Sequence, residues 1–271
     1  MTKLIKIKEY IFLLLPLSYV IGPFALELIN LFACSIFLFV IFRNNDYKYF
    51  KNNFFLLFMC WYFYLLLTSL LSNNIFLSLE SSLFYFRYIL FALALWHTLD
   101  HSKNNFLKNF CLSILFVFLF VQIDAYIQYF FGKNLLGYEF NKFSQARLSG
   151  LFGTEWILGS YISRTLPILL SLIVFSFSKS NKFKFFSLAI LISSDVLIFL
   201  AAERSAFFYL IMTTILLIIC LKSFKLLRIF SFIISIFIIL FITISSDTSK
   251  KRIIDKTYDD LVQNNGKIAI F

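Results

Sequence analysis

Long apolar runs separated by short polar gaps make up the chain. From Ile229 to Ile244 the sequence reads IFSFIISIFIILFITI, apolar on every face instead of alternating as a barrel strand does. A helix needs about 20 such residues to cross ~30 Å of hydrocarbon. Runs of this kind fall near residues 9–22, 25–42, 53–71, 81–98, 109–131, 156–177, 185–202, 205–221 and 229–245. The pattern predicts an all-α polytopic membrane protein with about nine transmembrane helices. Residues 1–245 then form a transmembrane helical bundle, and 246–271 are the start of a truncated external loop.

The gaps set the orientation. Lys3/Lys6/Lys8, Arg43/Lys48/Lys51, Lys103/Lys108, Lys179/Lys182/Lys184 and Lys222/Lys225/Arg228 occupy every second gap, and the intervening gaps hold only Lys133, Lys142, Arg147 and Arg204. Positive charge gathers on the cytoplasmic side, so the N-terminus is expected there. Composition agrees with the membrane reading, since 61% of the residues are hydrophobic, more than the interior of one water-soluble domain holds. The net charge of +11 sits in these gaps as an orientation signal, so no nucleic acid is expected as a partner. Cys34, Cys60, Cys111 and Cys220 lack the CxxC spacing of a zinc site and read as packing residues. His97 and His101 are spaced for one helix face, but only Asp100 lies nearby, and no metal or cofactor is expected.

Charges inside spans are costly and therefore informative. Arg87, Asp124, Arg164 and Asp195 each fall seven or eight residues from an outer span end, roughly 10–12 Å deep at ~1.5 Å per residue. The common depth predicts one polar cavity open to the outside, or two fasteners, Arg87 with Asp124 and Arg164 with Asp195. Five of the seven glycines, Gly132, Gly137, Gly150, Gly153 and Gly159, lie in or just after one external loop, which is expected to fold back onto the helices. Arg147 leads that loop's second half, and amides at the start of the sixth span, after Glu155, add candidate donors for an anion. Glu203 and Arg204 cap the external turn between the seventh and eighth spans.

The segment RLSGLFGTEWILGSYISRTLP, from Arg147 to Pro167, resembles the loop-to-helix segment of the bacterial O-antigen ligase and polymerase family. LAAERSAFFYL, from Leu200 to Leu210, resembles that family's second arginine motif, at the outer start of a later helix. The resemblance implies a metal-independent glycosyltransferase of lipopolysaccharide biosynthesis, multi-pass in the bacterial inner membrane. Its donor would be a glycan on undecaprenyl diphosphate, and its acceptor lipid A-core or another lipid-linked glycan. Arg147, Arg204 and Arg164 would bind the diphosphate and offset its growing charge as the sugar leaves. Members continue into a further external loop carrying a histidine, so the resemblance makes this chain the N-terminal portion. A transporter or flippase of a lipid-linked anionic glycan is the alternative, and would need a polar route to the cytoplasmic side.

Overall fold

A computed structural model describes residues 2–102, 105–140, 147–177, 181–220 and 225–245. The expected external segment 246–271, Lys103, Lys179 and Lys222 of the basic gaps, and the 141–146 part of the glycine-rich loop lie outside the described residues. All regular elements among the described residues are helical, apart from one isolated antiparallel bridge between Lys133 and Glu139. The chain divides into two compact units, Met1–Ile114 and Leu115–Phe271.

The first unit holds α1 (Thr2–Leu13), α2 (Leu15–Ile21), α3 (Pro23–Asn44), a 3-10 turn at Tyr47–Phe50, α4 (Asn53–Leu70), α5 (Ile75–Leu83) and α6 (Phe86–His101). Its core joins Phe12 of α1, Phe37 and Ile41 of α3, Tyr49 of the 3-10 turn, and Leu93 of α6. Local chemistry sets the helix ends. Asn45 takes the left-handed conformation at φ 53° to close α3, and the Asn52 side chain accepts from the Phe55 amide at 2.7 Å to open α4. The run at 9–22 is two short helices instead of one unbroken helix, because Pro16 favours the first turn of a new helix and Gly22, at φ 138°, ends it. The run at 81–98 is also divided. Hydroxyls of Ser81 and Ser82 bond back to Leu77 and Ser78 carbonyls, and tight bonds from Tyr85 to Ser82 and from Arg87 to Phe84 follow.

In the second unit are the later part of α7 (Asn105–Phe131), a 3-10 turn at Gly150–Phe152, α8 (Leu158–Phe177), α9 (Asn181–Ala201), α10 (Arg204–Cys220) and α11 (Lys225–Ser245). α9 packs against α8 and α11, and α8 also packs against α10. Leu158, Ile162, Leu166, Leu169 and Ile173 bury one stripe of α8 at the spacing a helix requires.

Among the described residues, six helical segments are long and apolar enough to cross a membrane: Pro23–Asn44, Asn53–Leu70, Ile75–His101, Phe106–Phe131, Leu158–Phe177 and Lys225–Ser245. Phe185–Ala201 and Arg204–Cys220 are shorter apolar helices. By length and composition this is a multi-pass membrane protein.

Candidate functional site

Two residues one turn apart on α7 anchor the glycine-rich loop. Asp124 and Gln128 are both fully buried and share a helix face at i, i+4 spacing. The Gln128 side-chain oxygen accepts from the Ser149 and Gly150 amides at 3.1 and 2.8 Å, and its nitrogen donates to Ser149 Oγ and the Tyr138 carbonyl. Asp124 accepts from the Leu135 amide at 2.9 Å and from Asn134 Nδ2 at 3.3 Å. Asn134 in turn donates to the Gly150 carbonyl at 2.7 Å and accepts from the amides of Leu136 and Tyr138. The described parts of the loop therefore lie folded on α7. Gly153, at φ 65°, faces the Tyr138 ring so closely that an added Cβ would sit 2.9 Å from Cζ. No side chain larger than hydrogen fits there without moving the ring.

The two segments that carry the family resemblance meet at the start of α8. Glu203 accepts from the Gly159 amide at 2.7 Å, the Ser160 amide at 3.0 Å and the Ser160 hydroxyl at 2.5 Å. These are among the N-terminal amides that a helix leaves unpaired, and a carboxylate is the charge its dipole favours. The donors expected to await an external anion are thus already taken by the protein's own carboxylate. Glu155, which precedes those donors, is exposed, and its amide closes a turn onto the Phe152 carbonyl.

Close approach makes the junction possible. A Cβ on Gly159 would meet Ala206 Cβ and Glu203 Oε1 at 3.1 Å and Ala201 Cβ at 3.2 Å. Glu203 is aimed by Ala202, a non-glycine residue at φ 58°, and the Glu203 carbonyl accepts from the Phe207 amide to start α10. Arg204 follows as the first residue of α10 and is exposed. Arg164 lies one turn beyond Ser160 on α8, with its guanidinium carbon 5.5 Å from the centroid of the Tyr209 ring of α10. Arg147 stacks in the same manner on Trp156, at 5.2 Å, so that tryptophan backs an arginine as well as standing at a span end. Arg164 of α8 therefore packs on α10, whose first residue is Arg204.

The expected fasteners are replaced by other partners. Asp195 is paired with Arg228, not Arg164: Nη1 and Nη2 donate to its two oxygens at 2.8 and 3.1 Å, and both side chains are 1% exposed. Thr214 accepts from Arg228 and Ser235 donates to Asp195, completing the network. Arg228 belongs to the first turn of α11. Arg87 pairs with Glu27 of α3 at 3.0 Å, and Asp124 bonds the loop instead of an arginine. Arg87 stands in the first turn of α6, where the helix restarts at Phe86 within the apolar segment Ile75–His101.

Sequence reasoning missed Gln128, Asn134, Ser160 and Arg228. Two of the four carried a signal: Arg228, Ser231 and Ser235 fall at i, i+3 and i+7 on one helix face, and Asp124 and Gln128 at i, i+4. Lys8, read as an orientation charge, is fully buried with Nζ 2.6 Å from Nδ1 of His97. His97 and His101 stack at 4.2 Å between ring centroids, and no group of three metal-ligating residues occurs among the described residues. A groove of about 520 Å³ lies in the second unit, lined by residues such as Tyr126, Ile192, Ser193 and Ile238, and none of the arginines reaches it. Comparison of the chain with models of protein families, with curated proteins and with solved structures returns no match.

Proposed function

We propose that the chain is a membrane glycosyltransferase of surface-polysaccharide assembly, of the O-antigen ligase or polymerase kind, in the bacterial inner membrane. In this reading it crosses the membrane about nine times with its N-terminus in the cytoplasm, as the basic gaps indicate. The reading rests on one observation above the others. Two segments of the chain are joined where Glu203 bonds Gly159 and Ser160, 44 and 43 residues away, and the helices so joined carry Arg164 in α8 and Arg204 at the first position of α10.

That arrangement suits a lipid-linked diphosphate. During transfer the acceptor hydroxyl oxygen bonds to the anomeric carbon and gives up its proton to a base. The bond from that carbon to the diphosphate oxygen breaks, and the electron pair leaves with the diphosphate. Guanidinium groups offset this growing charge without a metal, and their planar forks match phosphate oxygens. Aromatic faces at Tyr209 and Trp156 hold two of the arginines while leaving their edges for hydrogen bonding.

The test is reconstitution in liposomes with an undecaprenyl-diphosphate glycan and either lipid A-core or a second lipid-linked glycan. Binding of the undecaprenyl-diphosphate glycan is expected, with transfer once the histidine-bearing external loop that the resemblance implies is present. Arg204→Ala is expected to lower both, transfer by about 100-fold or more, the scale for losing one preorganised charge partner. Movement of the intact lipid-linked glycan across the bilayer with no transfer would replace this reading with the transporter or flippase.

A further inference from the structure

Glu203 is the carboxylate that joins the two motifs, and its described hydrogen bonds all go to the start of α8. A negative charge next to the guanidinium groups would weaken their hold on an anion unless it is satisfied elsewhere. Here it is satisfied elsewhere: both carboxylate oxygens are engaged by the start of α8, through two amides and the Ser160 hydroxyl. The contact is built from both sides. Gly159 leaves room that a Cβ would fill to 3.1 Å from Oε1, and Ala202 adopts φ 58° to turn the carboxylate inward. Only after that turn does α10 begin, at Arg204.

We infer that Glu203 is a positioning residue, which locks Arg204 at a fixed place relative to Arg164 by anchoring the first turn of α10 to the first turn of α8. A further consequence is that the diphosphate is held by guanidinium groups and not by the α8 amides, because the protein's own carboxylate holds those amides. The inference rests on the proposed function and specifies how its site is assembled. Glutamine at 203 keeps the size of the side chain but replaces one acceptor oxygen by a donor group facing the Ser160 and Gly159 donors. The anchor then loses at least one bond, and a displacement on the order of 1 Å at a charge partner is worth about 100-fold in rate.

A double-mutant cycle on the full chain in nanodiscs tests this, with undecaprenyl diphosphate as the binding probe and glycan transfer as the second readout. Glu203→Gln is expected to weaken binding of the probe and to lower kcat/KM about 10- to 100-fold. In an Arg204→Ala background the same change is expected to alter probe binding less than about twofold, because its target is gone. Ser160→Ala, which removes one of the three donors, is expected to show the same dependence with a smaller effect, and serves if Glu203→Gln fails to fold. Wild-type binding by Glu203→Gln would overturn the inference, and so would an equal loss in both backgrounds, the mark of a general structural role. A wild-type chain that neither binds the probe nor transfers glycan would overturn the proposed function itself.

Discussion

Single residues show where charge is worth burying. Lys8 is fully enclosed, and burial lowers its ammonium from the ordinary 10.5 to about 8, with Glu9 opposing the shift. Its described hydrogen-bond partner is a neutral acceptor, Nδ1 of His97, so at neutral pH the lysine donates a proton into that contact. The folded chain holds the Lys8 proton more weakly than the unfolded chain does, so stability should rise as pH climbs from about 8 towards 10.5, by about 3 kcal/mol in all. Unfolding in mixed micelles across that range should show the rise, and Lys8→Met should flatten it. Nothing in the sequence distinguished Lys8 from Lys3 and Lys6, because all three precede the first apolar run. Arg228 was more legible, since Ser231 and Ser235 continue its face, whereas its partner Asp195 on another helix depends on packing that spacing does not encode.

Helices and the loop were legible to different degrees. Hydropathy found the apolar runs, yet it averaged across the breaks at Leu14 and at Phe84–Tyr85, where a proline and hydroxyl groups act over three or four residues. The glycines marked a loop that needs close approach, but the polar residues that tie it down lie on α7, inside an apolar run. Gln128 alone engages two loop amides, and its replacement by leucine would leave both donors buried without a partner. Losing ~1–3 kcal/mol for each of the two groups should raise local opening about 30-fold or more. Trypsin cleavage after Lys133 and Arg147 should therefore speed up in Gln128→Leu by that order. Unchanged cleavage would mean that Asp124 and Asn134 suffice to hold the loop.

At the scale of the whole molecule the usual distribution of residue types is inverted. Serines such as Ser187, Ser194, Ser231 and Ser235 are enclosed, while Phe76 is 91% exposed and Phe175 73%. Sequence made the apolar exterior legible through the length of its apolar runs, but it could not tell the enclosed serines from those at span ends. Hydrocarbon solvates a phenylalanine as well as another helix does, so an inserted helix gains nothing from hiding it. What discriminates among helix arrangements is packing and the bonds of small polar groups. Phe76→Leu and Phe175→Leu should each change stability by less than about 0.5 kcal/mol. Ser194→Val, which strips Gln122 of its 2.8 Å partner, should cost about 1 kcal/mol in the same micellar unfolding assay. The phenylalanines decide which solvent the protein lives in, and the serines decide which neighbours its helices keep.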